Sequence, residues 1–189
     1  MKILDTEETY QSKWLNMKKT YYYDKNGEAK SWEFVSRSNE PRVVSVICRD
    51  KNTREFLLIK QYRIPIKSVQ IEFPAGLVNE NETLEEGALR ELEEETGYTG
   101  EILSISRSLP KTAGLTNEAT HFVFCSVDKT VSKDPNMDSS EEITSFWVTP
   151  EEFTKMIQLK ENENVKTSSD VYFFMRGYSL GQEKSQINI

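Results

Sequence analysis

Four glutamates, Glu91, Glu93, Glu94 and Glu95, crowd into five residues, shortly after Glu82, Glu85 and Glu86. Eight of the chain's 31 acidic residues lie between Gly76 and Tyr98. On a helix, Glu91 and Glu95 are four apart and share a face, and Glu94 is three from Glu91. Like charges at that spacing destabilise a bare helix. Two readings fit. In the first the face is solvated, with Arg90 paired to Glu86 or Glu94. In the second it holds a cation through oxygen ligands, which suits Mg²⁺ or Mn²⁺. A solvated face does not explain why a Gly/Pro turn, Phe73-Pro74-Ala75-Gly76, leads into the acidic stretch. Nor does it explain the two glycines, Gly87 and Gly97, within that stretch.

The rest of the composition narrows the chemistry. One His and two Cys in 189 residues exclude a zinc finger, a His-rich metal site and a disulfide framework. Any metal must be held by oxygen. Cys48 and Cys125 sit in apolar stretches and read as small buried hydrophobes, which suits a reducing cytoplasm. His121 reads as structural. With 24 basic and 31 acidic residues the net charge is −7, which disfavours a generic nucleic-acid-binding surface. The chain turns acidic at Asp5, Glu7 and Glu8 before any signal-peptide core forms, and its apolar runs are far too short for a membrane span.

The elements that must position the glutamates have clear punctuation. Thr83-Leu84-Glu85-Glu86 has the capping-box pattern, and Gly97 stands where a left-handed C-cap belongs. Leu84, Ala88, Leu89 and Leu92 recur at helical spacing and should face a core. Upstream, residues 14–23 and 30–37 flank Asp24-Lys25-Asn26-Gly27, a hairpin signal. Strands are expected at 42–49, 55–62, 69–73, 101–108, 119–127 and 143–148. Helices are expected from Pro150 to about Lys160 and from Ser168 or Ser169 to Leu180. The polar stretch 129–142 reads as a long loop of the kind that is often functional.

Gly76, Glu82 and Arg90-Glu91-Leu92-Glu93-Glu94-Glu95-Thr96-Gly97-Tyr98 resemble the Nudix box, G-x5-E-x7-R-E-U-x-E-E-x-G-U, with U aliphatic. Every fixed position is met, and the aromatic Tyr98 is the one departure. The resemblance implies an α+β fold, an α/β/α sandwich around a mixed sheet, with an N-terminal antiparallel β hairpin subdomain at residues 1–40 and the hydrolase domain at 41–189. It implies a strand–loop–helix that holds divalent cations against a diphosphate. Glu91 and Glu95 map onto the main metal ligands and Glu94 onto an accessory one, and Arg90 pairs with Glu82 to hold the loop to the helix. Mg²⁺ is the expected ion, with Mn²⁺ as the substitute.

Nearly the whole chain, from about Trp14 to about Tyr178, is similar to the ADP-ribose pyrophosphatase (ADP-sugar diphosphatase) branch. The stretches that carry this are Trp32-Glu33-Phe34-Val35-Ser36-Arg37, Lys60-Gln61-Tyr62-Arg63, Glu72-Phe73-Pro74-Ala75-Gly76-Leu77-Val78 and Ala113-Gly114-Leu115-Thr116-Asn117-Glu118. The likeness adds the Ala75 carbonyl as a metal ligand. It nominates Trp14, Trp32, Glu33, Arg37, Arg63 and Leu115 for substrate binding, the two Trp rings sandwiching an adenine across a homodimer. Glu141, Glu142 and Arg90 are the catalytic candidates, and either loop glutamate fits the base. Thr112-Ala113-Gly114 departs from the branch's Ser-Pro-Gly or Asp-Pro-Gly, so contacts to the terminal ribose are expected to differ. The activity implied is Mg²⁺-dependent hydrolysis of ADP-ribose to AMP and ribose 5-phosphate. The alternatives are another nucleotide sugar, an oxidised nucleotide, or a non-catalytic nucleotide-sensing domain.

Overall fold

A computed structural model describes residues 1–136, 142–158 and 164–187. The chain opens with β1 (Lys2–Gln11), β2 (Leu15–Tyr23) and β3 (Ala29–Arg37), a three-stranded antiparallel sheet in the order β1-β2-β3. The β2–β3 turn is built as the Asp24–Gly27 signal requires. The Asp24 carboxylate accepts from the Asn26 and Glu28 N–H groups at 2.8 and 3.0 Å, and Gly27 takes φ 81°, which favours glycine. All ten residues of β1 are exposed.

The second sheet has nine strands. Its elements are β4 (Val43–Asp50), β5 (Phe56–Arg63), β6 (Ser68–Glu72), β7 (Ala75–Leu77), β8 (Gly100–Ile105), β9 (Leu109–Pro110), β10 (Ala119–Val127), β11 (Ile143–Val148) and β12 (Val165–Thr167). The main path runs β12-β6-β5-β4-β10-β8, with β11 on β5, β7 on β4 and β9 on β10. β10 is parallel to β4 and β12 parallel to β6, so the sheet is mixed. β4 and β5 share one register pair, Arg49 with Phe56. Beyond it β4 takes β7 on its first residues, which carries the Gly/Pro turn into the sheet.

Three helices cover this sheet: α1 (Leu84–Thr96), α2 (Pro150–Gln158) and α3 (Ser169–Ile187). Alternation along the strands divides two cores. Val44, Val46, Cys48, Val123, Cys125 and Val127 pack with Ala88 and Leu92 of α1. Ile47, Phe56, Leu58 and Ile71 pack with Phe153 of α2 and Val171 and Met175 of α3. Strands covered on both faces read as near-continuous apolar runs. Both thiols are buried, and burial pushes the Cys48 thiol well above its ordinary pKa.

The expected hairpin, helix starts and most strands stand, with four differences. β1 is an additional strand; it is polar and exposed, so periodicity gives no sign of it. The 101–108 strand is two pieces, β8 and β9. β7 and β12 are three residues each, too short for a pattern. α3 runs past Leu180 and Gly181 into Gln182, Glu183 and Lys184, good helix formers that follow the end of the apolar repeat.

Candidate active site

α1 begins as its capping box dictates. Thr83 Oγ1 accepts from the Glu86 N–H at 3.1 Å, and the Thr83 N–H donates back to the Glu86 carboxylate at 2.8 Å. It ends at Gly97, with φ 74°, whose N–H donates to the Glu93 carbonyl at 2.8 Å. The Lys133 N–H then donates to the Gly97 carbonyl and Asn136 N–H to the Glu94 carbonyl, so the start of the long loop lies against the end of α1.

The turn before α1 is drawn onto the helix. The Ala75 N–H donates to Glu95 Oε2 at 3.1 Å, and Glu95 is only 5% exposed. Gly76 lies so close to Glu91 that an ideal Cβ there would sit 2.0 Å from its carboxyl carbon. Arg90 ties the parts together. Its Nε and Nη2 donate to the two Glu82 oxygens at 2.7 and 3.0 Å, Nη2 also reaches the Leu77 carbonyl at 2.9 Å, and Nη1 donates to Glu91 at 2.8 Å and Glu94 at 2.9 Å. Hydrogen bonds from Arg90 and from the Asn79 N–H lower the Glu82 carboxyl from 4.5 to about 2, and the Arg90 guanidinium is raised in turn, chiefly by Glu82.

The like-charge conflict on α1 is thus relieved by Arg90, as in the solvated reading, yet Glu95 is buried rather than solvated. Among the described residues no three acidic, His or Cys side chains already converge on one point as a metal cluster. The donor set nonetheless fits a hard divalent cation. It is all oxygen, two carboxylates share one helix face, and the backbone passes them where only glycine fits.

The other nominated residues fall in two groups. Arg63, at the end of β5, makes two bonds to Glu72, at 2.6 and 2.7 Å, directly before the turn. Trp32, Glu33 and Arg37 lie on β3, and the 112–118 segment with exposed Leu115 docks against that strand. Trp32 is 53% and Trp14 69% exposed. A cleft of about 570 Å³ opens between the first sheet and this segment, lined by Tyr22, Trp32, Phe34, Pro110, Ala113 and Thr116 among others. The structure does not bring Trp14 to Trp32. The Trp14 carbonyl accepts from the Ser38 N–H, six residues beyond Trp32, or about 20 Å along a strand. Glu142 is exposed just before β11, and Glu141 lies outside the described residues. His121 bonds the Ser106 carbonyl through Nδ1 at 3.1 Å. Two contacts went unread in the sequence. Arg42 reaches the Glu82 carbonyl, and Glu118 pairs with Arg37; both bonds join residues far apart in the chain and leave no local pattern.

A NUDIX domain model matches residues 39–170. The chain belongs to the Nudix family. A yeast relative, the ADP-ribose pyrophosphatase of Saccharomyces cerevisiae, is 33% identical over 94% of this chain and 82% of its own length. The ADP-sugar pyrophosphatase of Mus musculus is 37% identical over 62% of this chain, which spans 57% of that protein. The ADP-ribose pyrophosphatase of Bacillus subtilis is 28% identical over 84% of each chain. A crystal structure of an ADP compounds hydrolase superposes with a TM-score of 0.68 over 95% of this chain and 94% of that one, at 19% identity, and so shares the Nudix fold. The expected fold class, a mixed sheet with three helices plus an antiparallel N-terminal sheet, stands.

Proposed function

We propose that this Nudix pyrophosphohydrolase cleaves the diphosphate of a nucleoside diphosphate sugar, with ADP-ribose as substrate and AMP and ribose 5-phosphate as products. The observation that carries the reading is the Glu91–Glu95 pair closed over by the Ala75–Gly76 backbone. Glu91, Glu95 and the Ala75 carbonyl, with Glu94 accessory, would hold Mg²⁺, or Mn²⁺ in its place. Such an ion, when bound, supplies charge neutralisation and Lewis acidity to the diphosphate. Arg90 and Glu82 keep the loop and the carboxylates in register. Glu141 or Glu142 is the carboxylate that takes the proton from the attacking water. Arg37 and Arg63 contact phosphate, and Glu33 accepts from the adenine amino group.

The adenine site supports a homodimer. Two rings that sandwich a base stand about 7 Å apart across it, whereas Trp14 and Trp32 are separated by about 20 Å along one protomer's sheet. A second copy is the simplest source of the missing ring. Residues 1–40 then serve assembly and substrate contact, and residues 41–189 the chemistry. The reducing cytoplasm suits its two buried thiols.

The test is product analysis by chromatography with ADP-ribose and Mg²⁺, an EDTA control and Glu95→Gln alongside. AMP from the metal-containing wild-type sample alone is the expected result. Absence of AMP, with turnover of another nucleotide sugar in a panel, moves the substrate; binding without any turnover overturns the enzyme reading.

A further inference from the structure

The segment Gly114–Glu118 runs beside β3 as a short parallel strand would. The Trp32 indole N–H donates to the Gly114 carbonyl at 3.2 Å, and the Val35 N–H donates to the Leu115 carbonyl at 2.9 Å. Val35 bridges Thr116 in parallel sense, and Arg37 meets Glu118 two residues further on both sides. Register therefore makes Arg37 and Glu118 cross-strand neighbours on one face. Glu118 is itself fixed, since its N–H donates to Thr116 Oγ1 at 3.0 Å. Both side chains line a cleft of about 220 Å³ that also holds Glu40, Arg42 and His121.

The way Glu118 grips Arg37 matters. Its carboxylate meets the guanidinium at Nε. Among the described residues the two terminal nitrogens of Arg37 donate no hydrogen bond. A guanidinium held by one edge keeps a two-pronged edge for two oxygens of a phosphate, and being pre-oriented it loses less freedom on binding.

We propose that Glu118 is a positioning residue for Arg37. It fixes the guanidinium from the Nε side so that the terminal nitrogens take a phosphate of the bound nucleotide. This rests on the reading of Arg37 as a phosphate contact. Glu118 touches no substrate in this role and acts through Arg37 alone.

The experiment measures KM and kcat for ADP-ribose in Mg²⁺, with thermal unfolding, for wild type, Arg37→Ala, Glu118→Ala, Glu118→Gln and Arg37→Ala/Glu118→Ala. Glu118→Ala should raise KM by about 5- to 10-fold with little change in kcat. Glu118→Gln, which keeps an acceptor, should recover part of that, and it carries the comparison if the Ala variant fails to fold. In the Arg37→Ala background, Glu118→Ala should add nothing. Equal losses in both backgrounds, or a KM that is unchanged or lower with the fold intact, overturn the proposal while leaving the enzyme reading in place. If wild type turns over no nucleoside diphosphate sugar, the reading of Arg37 fails first and takes the positioning role with it.

Discussion

A side chain at position 76 cannot coexist with Glu91 where it stands. An ideal Cβ on Gly76 would lie 2.0 Å from the Glu91 carboxyl carbon and 2.2 Å from each of its oxygens. The loop and the carboxylate are thus one packed unit, and moving either moves the other. Gly76→Ala should displace Glu91 by an ångström or more and cost kcat/KM about 100-fold or more. Gly177→Ala is the control: it lies in α3, nothing stands within 4 Å of its Cβ, and it should stabilise by about 0.5–1 kcal/mol. Full activity in Gly76→Ala, measured beside its thermal midpoint, would remove the glycine from the site.

Charge removal at constant shape separates metal binding from folding. Glu95→Gln keeps an acceptor for the Ala75 N–H but loses the anion. We expect its kcat/KM to fall on the order of 100-fold or more, beyond the 10- to 100-fold typical of residues that only support ligands. Mg²⁺ should raise the thermal midpoint of the wild type, and that shift should be absent from the variant. A variant that still shows the shift would place the ion elsewhere. Chelation of wild type should abolish turnover reversibly.

Arg90 and Glu82 predict an acid limb. The folded Glu82 carboxyl is lowered from 4.5 to about 2, chiefly by Arg90. A depressed carboxyl contributes stability above its unfolded pKa and loses it as pH falls through the folded one. The contribution of this pair should therefore be complete at neutral pH and fade between about pH 4.5 and about pH 2. Glu82→Gln should be less stable at pH 7 and lose less on acidification. Parallel stability-against-pH curves for the two proteins would show that the pair contributes nothing.

Trp14→Ala and Trp32→Ala should each raise KM by about 5- to 150-fold, the range of a lost base–aromatic stack of about 1–3 kcal/mol. If each adenine site draws one ring from each protomer, co-expressing the two variants should restore activity. A mixed dimer then carries one intact site and one doubly damaged site. No restoration, together with a monomeric mass in light scattering, would end the shared-site reading.

The parts legible in the sequence were those whose signals are local. Thr83, Glu86 and Gly97 mark α1 within fifteen residues, and all three act as capping chemistry requires. Arg90 and Glu82 are eight apart and their pair is present. β1 was illegible because it buries no apolar face. It is held by its backbone ladder to β2 and by polar pairs such as Tyr21 with Glu7 at 2.7 Å and Thr6 with Thr20 at 2.7 Å. β12 and the Arg37–Glu118 contact depend on residues 96 and 81 positions away, which periodicity does not sense.

The exposed first strand has one more effect. β1 pairs only with β2 among the described residues, so its outer edge is a template for another strand. Two copies laid edge to edge, antiparallel and centred, would set Asp5 opposite Glu8 twice over, with Glu7 between them. That acidic middle is a brake on runaway stacking of one molecule upon the next. It leaves side-chain faces, rather than a continued backbone ladder, as the ground on which two copies can meet.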